Sequence, residues 1–174
     1  MRKQTKLVAV LSTAALLAIG ASMTSFAATG WAEEDGTWVY YNRDGERATD
    51  QWKKSGNNWY WLDSDGEMAI DQLIEDGDNY YYVDINGVMA SNQWVAIDNE
   101  DAGEDDEPDH YWYYFQANGK ALTNGDNDKV SLKTVNGKKY AFDDEGKMLY
   151  GWVDEDTAER VDDTEGDGFK DGTY

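Results

Sequence analysis

One histidine, no cysteine and 36 carboxylates against 15 Lys and Arg leave this chain few routes to covalent chemistry. A Ser-His-Asp arrangement would have to use His110, which abuts an acidic tract where a surface histidine is the simpler account. Without cysteine there is no thiolate nucleophile, disulfide or cysteine zinc site. Neither a P-loop nor a GxGxxG fingerprint occurs. Nothing singles out two carboxylates as an acid/base pair. Asp163, Glu165, Asp167 and Gly168 mimic the start of an EF-hand loop, but its twelfth position falls on Tyr174, where a bidentate Glu is needed. No metal and no cofactor is expected. What remain are rings: 8 Trp, 12 Tyr and 4 Phe, or 14% of 174 residues.

The rings recur in register. Seven residues before Gly45, Gly66, Gly87, Gly119 and Gly146 stand Trp38, Trp59, Tyr80, Trp112 and Lys139. Six before stand Val39, Tyr60, Tyr81, Tyr113 and Tyr140, and five before stand Tyr40, Trp61, Tyr82, Tyr114 and Ala141. Four before stand Tyr41, Leu62, Val83, Phe115 and Phe142; two after stand Arg47, Met68, Met89, Ala121 and Met148. A further aromatic leads each unit, at Trp31, Trp52 and Trp94, with Leu73 in the third, and Trp152 opens a sixth unit. The glycines step by 21, 21, 32 and 27 residues. The excess is insertion: eleven residues, mainly Asp98 to Asp109, and six around Asn124 to Asp128. Charged insertions between units belong in solvated surface loops.

A period this short suits strands. Each aromatic run ends in a turn sequence: NRDG (42–45), DSDG (63–66), DING (84–87), QANG (116–119) and DDEG (143–146). Asn and Asp bond their own backbone there, and Gly supplies positive φ. A second turn signal precedes the run: EEDG (33–36), KKSG (53–56) and IEDG (74–77). The expected fold is therefore all-β, a solenoid of stacked β-hairpin repeats of about 21 residues, because a lone hairpin is unstable and must bury its rings on the next. No amphipathic helical period extends over a dozen residues. Within a strand Trp38 and Tyr40 point one way and Val39 and Tyr41 the other, so one set can face a ligand while the other fills the core.

The N-terminus reads as an address. Arg2, Lys3 and Lys6 precede a mostly apolar stretch from Leu7 to Ala21, and Ser25-Phe26-Ala27 offers small residues for a cut before Ala28. The stretch is short of the ~20 residues that span a bilayer, and no later segment could span one. Residues 1–27 are expected to be a signal peptide, 28–152 the repeat array, and 153–174 an acidic incomplete repeat or tail. The formal charge of −21 becomes more negative once the three early cations are removed. Such a field does not draw the chain to nucleic acid or an anionic membrane.

The units GWAEEDGTWVYYNRDGERATD (30–50) and QWKKSGNNWYWLDSDGEMAID (51–71) resemble the cell-wall-binding repeats of bacterial surface proteins, the choline-binding modules in particular. The resemblance covers residues 30 to about 152 and extends to repeats in glucosyltransferases and clostridial toxins. It implies ligand sites between consecutive repeats, each a cage of the leading tryptophan, the first ring of the run and a ring of the neighbouring repeat, lined by Met. Carried onto this chain, Trp31 with Trp38 and Trp52 with Trp59 would each supply two walls. Trp61 and Tyr82 would be third walls, Met68 and Met89 the lining, and Trp94 with Trp112 a further pair. A quaternary ammonium suits such a box, because ring faces attract it and its methyl groups fill the space.

The resemblance implies a non-catalytic, secreted module at the bacterial cell surface or wall, holding choline-bearing teichoic acid or a related wall polymer. The other reading is a glucan- or carbohydrate-binding repeat region of a larger secreted enzyme or toxin. Departures from the pattern matter. Gln51, Gln72 and Gln93 replace the usual glycine, Leu73 a leading tryptophan, and Lys139 a ring where a cation would be repelled. Two or three working cages are expected. At ~1 kcal/mol per ring plus some apolar burial, each would bind at about the millimolar level, so several must engage one polymer.

Overall fold

The computed structural model describes residues 29–103, 108–127, 129–154, 156–157 and 160–161. The signal-like segment 1–27, the EF-hand-like Asp163 to Gly168 and most of the 153–174 tail lie outside the described residues.

Every named element is a strand, and consecutive strands pair into hairpins. They are β1 (Gly30–Glu34) with β2 (Thr37–Tyr41), β3 (Gln51–Ser55) with β4 (Asn58–Leu62), and β5 (Gln72–Asp76) with β6 (Asn79–Val83). β7 (Gln93–Asp98) pairs with β8 (His110–Phe115), β9 (Lys133–Val135) with β10 (Lys138–Tyr140), and β11 (Trp152–Val153) with β12 (Arg160–Val161). The hairpin turns follow their residues. Asp35 and Gly36 both have positive φ (50° and 86°), as do Asn136 and Gly137 (49° and 80°), the type I′ signature whose twist matches the strands.

The usual glycine before the leading ring is absent at Gln51, Gln72 and Gln93, and the residue just ahead takes up the left-handed bend instead. Asp50, Asp71 and Asn92 have φ of 47°, 47° and 52°. Asp and Asn tolerate that region better than other side chains.

Each run is followed by a turn and a short third leg. In the turn closing hairpin three, Asp84 Oδ1 accepts from the backbone N–H of Asn86 (2.8 Å) and Val88 (3.0 Å). The third leg then bonds both ways. Within its repeat, Ala48, Ala69 and Ala90 N–H donate to the carbonyls of Tyr40, Trp61 and Tyr82. Toward the preceding repeat, Met68, Met89, Ala121 and Met148 N–H donate to the carbonyls of Trp38, Trp59, Tyr80 and Trp112, at 2.8, 2.9, 2.8 and 2.8 Å. A glycine is required where this leg meets its neighbour. A Cβ on Gly87 would lie 2.9 Å from Met68 Cε, and one on Gly119 2.5 Å from Met89 Cε and Sδ.

The core follows the last position of the second to fifth runs, and Val39 in the first. Leu62, Val83, Phe115 and Phe142 are fully buried, with the small side chains of Ala48, Ala69 and Ala90 beside them. Burying such side chains contributes roughly 1.5–3 kcal/mol each for the larger ones. The eleven-residue insertion sits inside hairpin four. Asp98 pairs with His110, and Asn99 N–H bonds the Asp109 carbonyl at 3.0 Å. The six-residue insertion is gathered on Asn124, 3% exposed, whose amide donates to the carbonyls of Asn127 (2.7 Å) and Lys129 (3.2 Å) and accepts from Ser131 N–H (2.8 Å).

Candidate functional site

The rings that meet across hairpins are set by strand alternation. Cross-strand partners share a face, so Trp31 with Tyr40, and Trp52 with Trp61, lie side by side on one face of their hairpins. That face packs on the opposite face of the following hairpin. Trp31 lies 5.4 Å from Tyr40 and 5.4 Å from Tyr60 of the next repeat, edge-on to both. Trp52 lies 5.2 Å from Trp61 and 5.1 Å from Tyr81. Trp94 lies 5.2 Å from Tyr114 and 4.8 Å from Tyr140. At the third junction Leu73 takes the tryptophan's place and packs with Tyr82 against the cluster of Tyr113 and Phe115.

The neighbouring-repeat rings in contact with Trp31 and Trp52 are thus Tyr60 and Tyr81, each one residue before the expected third walls Trp61 and Tyr82. Trp61 is 8% exposed and packs with Trp52, while Tyr82 stacks on Phe115 at 6.1 Å. Tyr60, Tyr81 and Tyr140 were not among the sequence-derived candidates. Their signal was present in strand alternation, which turns the second ring of a run to the face opposite its first and third positions.

The first rings of the runs lie nearer the hairpin turns. Trp38 stands across from Glu33, Trp59 across from Lys54 and Trp112 across from Ala96, each on the same face as its leading tryptophan Trp31, Trp52 or Trp94. Trp59 and Trp112 are 40% and 41% exposed, and Trp112 meets His110 edge-on at 5.4 Å. Met68 and Met89 lie against Gly87 and Gly119 of the following repeats, where their backbones also join the ladder.

One opening gathers candidates from consecutive repeats. A cavity of about 450 Å³ is walled by Asn57, Asn58 and Trp59 of the second repeat, Asp84 and Met89 of the third, and Asn118 of the fourth. Its lining is mostly polar, with the amide side chains of Asn57, Asn58 and Asn118 and the acidic Asp84 beside Trp59 and Met89, a set suited to a soft cation with polar attachments. Burial pushes the Tyr113 phenol up to about 12, and burial followed by the Asp71 carboxylate pushes Tyr82 higher still. Both of these phenols are therefore neutral at ordinary pH. Among the described residues no cluster of His, Cys, Asp and Glu is arranged to hold a metal ion.

Among the described residues, Lys53 lies over Tyr40 at 4.7 Å, Lys54 over Trp59 at 5.7 Å and Lys147 over Tyr111 at 4.9 Å. Lys139, at the ring position of the fifth run, is exposed and stands across from Thr134.

Comparison with known proteins agrees with this repeat chemistry. The family model for the choline-binding repeat matches residues 28–69 and 48–94, and that for the putative cell wall binding repeat matches 111–121. The choline binding domain of Spr1274 in Streptococcus pneumoniae is 32% identical, over 55% of this chain and 95% of its own, with a TM-score of 0.40. CbpJ from Streptococcus pneumoniae is 29% identical over 72% of this chain, with a TM-score of 0.50. Choline binding protein F from the same species is 30% identical over 71% of this chain, with a TM-score of 0.46. The chain spans 37% and 34% of the length of these last two. No curated protein matches the sequence.

Proposed function

The chain belongs to the choline-binding repeat family, and we propose that it is a non-catalytic module, exported by way of residues 1–27, that holds choline-bearing teichoic acid or a related polymer of the bacterial wall. Repeats of this family make a cell-wall choline-binding module. The finer reading names the site: the cavity between the second, third and fourth repeats, with Trp59 as its ring face and Met89 as its lining.

One observation carries this reading. Trp59 and Met89, at the first-ring and lining positions of consecutive repeats, are joined by a 2.9 Å backbone bond, and both face the 450 Å³ opening. The indole is 40% exposed, so a ligand reaches it without unfolding anything. The Asp84 carboxylate in the same wall and the negative charge of the whole chain favour a cation over an anion. A permanent quaternary ammonium gains most, because it has no hydrogen bonds to water to give up.

The test is a titration of the chain with choline chloride, followed by tryptophan fluorescence, with tetramethylammonium, sodium chloride and dextran oligomers alongside. A saturable response to both quaternary ammonium ions, and none to sodium chloride, is expected. Trp59→Ala should raise the half-saturating choline concentration about threefold or more, the size of one cation–π contact. A response to dextran alone would move the assignment to sugar binding.

A further inference from the structure

The repeats differ chemically at one inward position. The residue paired across the strand with the second ring, and so turned toward the preceding hairpin, is Lys53, Ile74, Val95 and Lys133 in hairpins two to five. Ile74 is 4% exposed and packs with Trp61, and Val95 packs with Tyr113 and Phe115, so these two junctions are closed by apolar contact. At the first junction Lys53 does something else. Its ammonium lies 4.7 Å from the centre of Tyr40 in the preceding hairpin and donates to Asn42 Oδ1 at 2.8 Å. Tyr40 is in edge contact with Trp31, which in turn touches Tyr60, Lys53's own cross-strand partner. The lysine thus reaches back from its strand to a ring of the repeat before.

We propose that Lys53 is an intramolecular occupant of the first aromatic junction, supplying from within the chain the cation that the Tyr40 face would otherwise take from solvent. The inference rests on the reading of the repeat array as a binder of quaternary ammonium. A tethered ammonium faces its ring at an effective concentration of millimolar or above, which matches or exceeds what a single weak site needs. Its ammonium also donates a hydrogen bond to Asn42 that a quaternary nitrogen, having no N–H, cannot make. Lys54 differs: it is exposed and lies further from its ring, at 5.7 Å from Trp59, so water and ligand displace it readily. The first junction is therefore closed to external cations, while the Trp59 cavity is open.

The indole Nε1–H resonances of the full chain test this in nitrogen–proton spectra, titrated with choline chloride and with tetramethylammonium chloride against a sodium chloride control. In the unmodified protein the Trp59 resonance should move saturably and the Trp31 resonance should not. In Lys53→Met, and in Lys53→Gln as a second variant should the first fail to fold, Trp31 should also move, half-saturating within about tenfold of Trp59. Lys53→Arg should behave as the unmodified protein. The proposal is overturned if Trp31 already responds with Lys53 in place, or stays silent in a charge-removing variant whose other indoles keep their dispersion. A silent Trp59 beside a newly responsive Trp31 would sink the cavity assignment and uphold the role of Lys53.

Discussion

Trp52 Nε1–H donates to the carboxylate of Asp76 at 3.2 Å, across the seam between the second and third hairpins. One repeat earlier the corresponding pair is Trp31 and Ser55, and there the indole nitrogen is buried with no partner. A buried donor left unpaired forfeits about 1–3 kcal/mol of desolvation that a hydrogen bond would offset. The two seams therefore differ at this indole nitrogen by one hydrogen bond.

Ser55→Asp should give Trp31 the partner that Trp52 already has and raise the melting temperature by a few degrees, about 1 kcal/mol of added stability. Asp76→Ala should do the reverse at the second seam by a similar amount. Thermal melts of both variants check the pair; equal and opposite shifts are expected.

Gly87→Ala should destabilise the chain by about 2 kcal/mol or more. The backbone there has φ of 76°, and the added methyl would meet Met68 Cε at 2.9 Å. Met68→Ala in the same chain should recover only part of the loss, because it relieves the contact and not the backbone strain. Denaturant unfolding of the single and double variants separates the two contributions.

Alkali should weaken the fold in a defined window. Burial raises the Tyr113 phenol from 10.0 to about 12. A group whose folded value is raised contributes stability that is fully present below its unfolded value and is lost as pH climbs through the folded one. The Tyr113 share of the loss should therefore begin near pH 10 and be complete above pH 12, amounting to about 3 kcal/mol. Tyr113→Phe should flatten that part of the stability–pH curve.

Asn124→Ala should cost about 2 kcal/mol, since three backbone groups of the six-residue insertion turn to that one amide. Exchange protection should fall first at the Ser131 N–H, which the Asn124 carbonyl oxygen accepts at 2.8 Å.

The sequence was legible where local chemistry decides. Asp, Asn and Gly punctuate the chain, and the hairpins fall between the marks, with Leu62, Val83, Phe115 and Phe142 at the buried ends of the later runs. The relation between hairpins was less legible. Alternation tells which side of its own sheet Trp31 occupies, but not which side of the next sheet it meets. Only the packed structure shows Tyr60 at that contact in place of Trp61. Lys53 was hidden for a related reason: a lysine on a strand reads as a solvated charge until a ring of the preceding repeat is found beneath it.

The lengthened fourth hairpin has a practical side. Eleven extra residues enter, mainly in the tract from Asp98 to Asp109, yet the rungs on either side of that hairpin, Ala121 to Tyr80 and Met148 to Trp112, keep the same 2.8 Å as the rung from Met68 to Trp38. An epitope, a fluorophore-bearing peptide or a small enzyme grafted at that tip would be carried as passive cargo, with the docking geometry of its neighbours left untouched.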